Sequence, residues 1–214
     1  MDMPAARAEQ FDDATQQREA ATLGMWTFLA TEILFFGVLF AGYTLCRVRF
    51  PLAFAAGSRH TDMLLGTLET AVLLSSSCAV ALALRDVQLG GRRIAVRLLL
   101  LTAALGLAFL VMHGFEYVAE YHEGLIPAIH YTQTGPYAES MQLFFCLYYF
   151  ITGFHGLHVT IGIGVLLTMA WRTHQGEYSR AYHTPLEVSA LYWHLVDIVW
   201  IFVYPLIYLV GRAG

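Results

Sequence analysis

Eight ionisable side chains stand among apolar neighbours, and these are the residues that could do chemistry: Glu32, Glu69, His113, Glu116, His155, His158, His194 and Asp197. A charge held at the centre of a bilayer costs about 2.5–3.5 kcal/mol on insertion scales, so such groups face one another, a water path or a partner. Glu32 sits in the run Phe28-Leu29-Ala30-Thr31-Glu32-Ile33-Leu34-Phe35-Phe36. A lone carboxyl there stays neutral unless it is paired. Two readings stand open for it: a proton-accepting or reactive carboxyl, or a hydrogen bond to a neighbouring helix. His155 and His158 are three apart and would share a helix face. Gly153 and Gly156 beside them would let a second helix approach closely. A His-x-x-His pair can ligate a metal, but no third ligand is evident, so a helix-bridging role is the alternative and no metal is expected. His194 and Asp197 are also three apart, which predicts a polar pair within one helix. A dihaem bundle wants two His on a helix about a dozen residues apart, enough rise to stack two macrocycles. This chain does not offer that, although a single haem between His113 and one of His155, His158 or His194 stays open. No complete catalytic constellation is present.

The elements that must position these groups read as membrane spans. Of the 214 residues, 57% are hydrophobic and 13% charged, against about 25% charged in a soluble domain. A hydrocarbon core about 30 Å thick needs roughly 20 apolar residues per helix. Five stretches qualify: Leu23–Leu45, Leu64–Leu84, Ile94–Tyr117, Met141–Trp171 and Leu186–Val210. The predicted class is therefore an all-α integral membrane protein of five transmembrane helices. A polar tail covers residues 1–22, expected to be mobile or peripherally helical, and one membrane domain covers 23–214. The tail has no apolar segment and does not read as a signal peptide. The fourth stretch is long and should tilt or project. Turn formers separate the stretches: Pro51 and Gly57, Gly90-Gly91, Pro127 and Gly135-Pro136, Gly176 and Pro185.

All 12 basic residues are Arg and the net charge is −4, which argues against a nucleic-acid partner. Arg7, Arg18, Arg85, Arg92, Arg93, Arg97, Arg172 and Arg180 fall on one side of a five-span topology, and Arg47, Arg49, Arg59 and Arg212 on the other. The positive-inside rule then puts the N-terminus in the cytoplasm and the C-terminus outside. Arg85 and Arg172 lie at inner ends of spans with His174 nearby, where a guanidinium can pair with a lipid phosphate. Simple charge anchoring is the alternative. Tyr117, Tyr121, Trp171, Tyr204 and Tyr208 stand near span ends, placed for interfacial anchoring or for packing. Cys46, Cys78 and Cys146 form neither a disulfide framework nor a CxxC pair and read as buried small hydrophobes.

The chain resembles subunit III of the haem–copper respiratory oxidases, in its five-span bacterial form. The motifs that carry the likeness are Thr152-Gly153-Phe154-His155-Gly156-Leu157-His158 and Tyr192-Trp193-His194-Leu195-Val196-Asp197. Leu23-Gly24-Met25-Trp26 with Glu32, Val72-Leu73-Leu74-Ser75-Ser76, and Glu116-Tyr117 follow the same order. The resemblance implies a non-catalytic subunit beside subunit I, with subunit II also in the complex, and a bacterial inner-membrane location. Haem and copper would sit on the partners. Phospholipids would lie in a helix cleft, and the subunit would sustain proton uptake and protect the enzyme during turnover. It also implies that Glu32 matches the carboxyl that reacts with hydrophobic carbodiimides, and that His155, His158, His194, Asp197 and Glu116 match the family's intramembrane polar positions. Many members have two further spans at the N-terminus. Glu69 stands where the family is usually neutral. The rival readings are an accessory of a nitric oxide reductase or quinol oxidase, a haem-bearing quinone anchor of a dehydrogenase, and a small transporter. The transporter lacks support from repeat symmetry.

Overall fold

The computed structural model describes Phe11 and residues 13–209. Arg7, Arg212 and the end of the fifth predicted stretch at Val210 lie outside the described residues. Among the described residues there are six helices, α1 (Ala14–Arg49), α2 (Pro51–His60), α3 (Met63–Gln88), α4 (Arg93–His122), α5 (Ala138–Gln175) and α6 (Thr184–Tyr204), and a π turn Pro205–Leu209 continues α6. Five of them are long and apolar enough to cross a membrane, as the hydropathy pattern predicts. The first four run past both predicted ends, and α6 begins two residues before its predicted start. The polar residues 14–22 are helical and continuous with the first span, because Asp13 caps the helix by accepting from the Gln16 amide at 2.7 Å. Of the rest of the tail, only Phe11 and Asp13 are among the described residues. At 38 residues, α5 exceeds what a bilayer core needs.

The sixth helix, α2, was not expected, since Pro51 and Gly57 read as turn formers. Pro51 instead occupies the first turn, where its missing N–H costs nothing. Gly57 lets the Phe144 ring lie against the helix, and a Cβ there would come 2.5 Å from Phe144 Cδ1. Ser58 Oγ donates to the Ile207 carbonyl at 2.7 Å, tying α2 to the π turn. A two-residue hairpin, β1 (Leu125–Ile126) with β2 (His130–Tyr131), sits between α4 and α5. At the opposite end the α3–α4 turn uses Gly90 at φ 88°, and Asp86 Oδ2 accepts from the Ala95 amide at 2.9 Å to cap α4. Gly176 closes α5 in the left-handed conformation at φ 85°.

Helices α3 to α6 form the packed bundle. Its centre is Trp193, fully buried. A Cβ on Gly106 of α4 would meet its ring at 2.6 Å and one on Gly162 of α5 at 2.8 Å, so the indole fills a slot that only glycines leave open. Its Nε1–H donates to Ser76 Oγ on α3 at 2.9 Å. The close approach therefore occurs at Gly106 and Gly162, and not at Gly153 and Gly156, whose nearest neighbours stand at 3.9 and 3.8 Å. Helix α1 lies against α5 and α6 through a narrow stripe. Leu29, Phe36 and Tyr43, seven apart, are its buried residues among those described, while Leu23, Ile33, Leu34, Val38, Leu45 and Val48 face outward. Cys78 and Cys146 are exposed on outer helix faces, correcting their expected burial. Tyr208 is fully buried and packs, whereas Tyr121 and Trp171 are exposed near helix ends.

Candidate intramembrane polar sites

The structure brings the ionisable residues together in pairs that cross between helices. Glu32 on α1 is not alone. Its Oε2 lies 3.0 Å from His158 Nε2 on α5, and His158 Nδ1 lies 2.7 Å from the Phe154 carbonyl. The carbonyl can only accept, so Nδ1 carries a proton. The contact to Glu32 then holds one further proton, on the carboxyl or on Nε2. Neutral acid with imidazole and carboxylate with imidazolium have the same net charge, so the proton can shift without a change in the total. Tyr192 from α6 donates to the His158 carbonyl at 3.0 Å, and the Phe36 ring meets the imidazole edge-on at 5.4 Å. The pair is enclosed but not sealed, with side-chain exposures of 17% for Glu32 and 15% for His158.

His155 does not share this site. It is fully buried, with no hydrogen-bond partner for either ring nitrogen among the described residues. Its ring stands edge-on to Phe109 at 5.5 Å and tilted on Trp200 at 5.0 Å. An imidazolium there would have no counter-charge, so this histidine is a neutral packing group. His194 and Asp197 do not pair within α6 as expected. His194 Nδ1 is instead 2.7 Å from Ser77 Oγ on α3. Asp197 is 3% exposed and neither carboxylate oxygen has a hydrogen-bond partner among the described residues.

A further cluster joins three residues that stand out in the sequence as intramembrane ionisable groups but that nothing in their spacing places together as a set of three. Glu69 of α3 and His113 and Glu116 of α4 converge near the end of the bundle where α2 lies. His113 Nδ1 is 3.5 Å from Glu69 Oε1 and 3.5 Å from Glu116 Oε2. The Tyr208 hydroxyl donates to Glu116 Oε2 at 2.6 Å, and the Asp62 amide donates to Oε1 at 3.2 Å. Glu120, beyond the predicted end of the third stretch at Tyr117, belongs to the last turns of α4, is buried, and accepts from the Tyr149 hydroxyl at 2.6 Å. Tyr117 and Thr152 hydroxyls meet at 2.5 Å across α4 and α5. Among the described residues, Glu69, His113 and Glu116 are the group of three side chains with ligand atoms close enough to hold one metal ion.

These residues sit in motifs whose order runs through the chain, and the comparison with known proteins decides what that order means. The family model described as cytochrome c oxidase subunit III matches residues 6–212. This chain belongs to that family. It is 32% identical over 205 residues to cytochrome c oxidase subunit 3 of Thermostichus vulcanus, covering 94% of this chain and 92% of that one. It is 34% identical over 190 residues to cytochrome c oxidase subunit 3 of Synechocystis sp., covering 87% and 74%. It is 32% identical over 200 residues to quinol oxidase subunit 3 of Bacillus subtilis, covering 90% and 88%. The subunit III family is thereby a part of the haem–copper oxidase complexes, and this member shares its membrane helices.

At the other end of this family member's bundle the structure regroups the expected head-group residues. His174 joins Arg92, Arg93 and Arg97 around a cavity of about 460 Å³. Arg172 does not enter that lining. Its Nε lies 3.8 Å from Glu177 Oε2 at the surface. Tyr178, beyond the end of α5, is pushed up from its ordinary phenol value by burial, and the nearby Arg172 pulls it back. Arg85 stands in the last turn of α3. Glu187 ties this end together, meeting Arg18 at 3.6 Å, His183 at 3.2 Å and Gln88 at 3.4 Å.

Proposed function

We propose that this chain is the non-catalytic subunit III of a proton-pumping terminal oxidase in a bacterial inner membrane, with its N-terminus in the cytoplasm. It packs beside subunit I, with subunit II in the same complex and haem and copper on those partners. Its own contribution is to sustain proton uptake and to hold phospholipid. The observation that carries this reading is the Glu32–His158 pair, a proton-sharing contact midway along α1, on a helix that turns Leu23, Ile33, Leu34, Val38 and Leu45 outward. A half-buried pair that exchanges one proton without changing net charge suits the surroundings of a proton path better than it suits a reaction centre. His155, His194, Asp197 and Glu116 are read as the supporting polar positions of the bundle. Arg92, Arg93, Arg97 and His174 bring four donor side chains around one cavity, which suits the phosphate of an anionic or zwitterionic lipid. Arg85 and Arg172 are read as flanking contacts of that head-group.

Affinity purification of the full chain in mild detergent tests this, with an optical spectrum and mass spectrometry of what comes with it. A haem–copper catalytic subunit carrying all the haem signal is expected. Haem bound to this chain alone, or no such partner, overturns the reading. In the purified complex, Glu32→Gln should shorten the number of turnovers before inactivation while leaving the haem spectrum unchanged. A quinol-oxidising complex is the second reading, favoured by the likeness to the Bacillus subtilis protein over 90% of this chain. The electron donor of the purified complex separates the two.

A further inference from the structure

Glu69 is fully buried, yet neither of its carboxylate oxygens has a hydrogen-bond partner among the described residues. His113, 5% exposed, has none for either ring nitrogen. Both side chains are aimed at each other and at Glu116, and the three ligand atoms all lie within 4.8 Å of one another. The His113 contacts to the two carboxylates, at 3.5 Å each, are ion-pair contacts without hydrogen-bond geometry, and a buried polar atom lacking a hydrogen bond loses about 1–3 kcal/mol. Protonating His113 does not remove the problem. One imidazolium balances only one of the two carboxylates, so the other must also take up a proton for the cluster to be neutral. A divalent cation balances both carboxylates and leaves the imidazole neutral.

The distances suit such an ion. A cation about 2.1 Å from each of two ligands at the tetrahedral angle separates them by about 3.4 Å. The two His113 contacts, to Glu69 and to Glu116, are both 3.5 Å. The surrounding residues hold the ligands in place. The His113 ring is stacked on Phe109 at 5.7 Å and bounded by Trp200 at 5.6 Å. Glu116 is fixed by the Tyr208 hydroxyl and the Asp62 amide, which leaves lone pairs on the carboxylate free. A cavity of about 330 Å³, lined by His60, Asp62, Glu116, Glu120 and Glu123 among others, reaches Glu116 from the α2 end, and its acidic wall attracts cations.

We propose that Glu69, His113 and Glu116 form a binding site for a first-row divalent transition metal of the zinc class, clamping α3 to α4 inside the membrane bundle. One imidazole with two carboxylates suits Zn²⁺, Mn²⁺ or Fe²⁺, whereas Ca²⁺ and Mg²⁺ favour all-oxygen shells and Cu⁺ favours sulfur. Zinc is the decisive probe, because it binds such ligands more tightly than manganese or iron in the general affinity order.

The test uses the oxidase complex carrying the full chain, stripped with a chelator and titrated with ZnCl₂, with bound metal counted by mass spectrometry. The wild-type complex should retain one equivalent of zinc more than complexes carrying Glu69→Gln or His113→Gln. Tyr208→Phe, which removes only the hydrogen bond to Glu116, should weaken that equivalent by about 10–100-fold. Equal zinc in wild type and variants places any ion elsewhere, leaves the cluster as a proton-sharing triad, and overturns the proposal. If the variants fail to assemble, as judged by loss of the co-purifying haem, anomalous diffraction from the zinc-treated wild-type complex decides. A zinc peak between the three side chains is expected, and its absence overturns the site.

Discussion

At the residue scale, the polar groups find their partners on other helices, not on their own. His158 meets Glu32 across 126 positions, and His194 meets Ser77 across 117. Sequence identified both histidines and Glu32 as groups needing a partner, because an ionisable residue in an apolar run stands out without any structure. It could not name the partners. Spacing reports only neighbours within a helix, so it favoured the His194–Asp197 contact that the fold does not make. It also passed over Ser77, whose hydroxyl carries no special signal. The Glu32–His158 contact predicts energetic coupling. In a double-mutant cycle with Glu32→Gln and His158→Gln, measured by denaturation of the purified complex, the coupling should be about 0.5–3 kcal/mol. Additive effects would mean that the two side chains do not touch in the membrane. Trp193 makes a second residue-scale prediction. Trp193→Ala empties a slot between two glycines and should cost about 3–5 kcal/mol. Trp193→Phe keeps much of the packing and loses the bond to Ser76, at about 1 kcal/mol. A thermal melt of both variants checks the order, and equal losses would show that the indole N–H, which both variants lack, and not the packing sets the effect.

At the element scale, the five long helices were legible because length and hydropathy are local properties. Helix ends were less so, since a cap such as Asp13 can draw polar residues into a span. Helix α2 was missed for a different reason. Its Pro51 and Gly57 are breakers by type, and only its burial against α5 and the π turn gives those residues a helical role. This makes Gly57→Ala a test of which effect wins. In an exposed helix, alanine gains about 0.5–1 kcal/mol over glycine by lowering the entropy lost on folding. Here the added Cβ runs into the Phe144 ring, and overpacking costs about 1–3 kcal/mol. The net expectation is destabilisation, read as a lower melting temperature and faster proteolysis between α1 and α3. A raised melting temperature would mean that α2 docks more loosely than its contacts to Phe144 and Ile207 require.

At the scale of the whole molecule, the bilayer is the solvent that makes sense of the surface. Leu34, Val38, Leu45 and Val48 on α1, Leu107 and Phe115 on α4, and Leu157 and Ile161 on α5 are all exposed. In water these faces would aggregate; in lipid, or against a partner subunit, they need no cover. The ends of the bundle are chemically unlike each other. One gathers Arg92, Arg93, Arg97 and His174 around a cavity and adds Arg85, Arg172 and Arg180 nearby. The other is lined by Asp62, Glu116, Glu120 and Glu123. Since arginine near span ends is retained in the cytoplasm, the arginine-rich end should be the inner one. A single cysteine placed at Gly90, in the α3–α4 turn, should then be blocked by a membrane-impermeant maleimide only after the cells are opened. One placed at Gly135, in the loop before α5, should be blocked in intact cells. Cys46, Cys78 and Cys146 are replaced by serine first, so that the added thiol is the one read. The reverse pattern would invert the chain. It would place the acidic cavity and the Glu69–His113–Glu116 cluster on the cytoplasmic side, and the arginine-lined cavity would then face the outer leaflet.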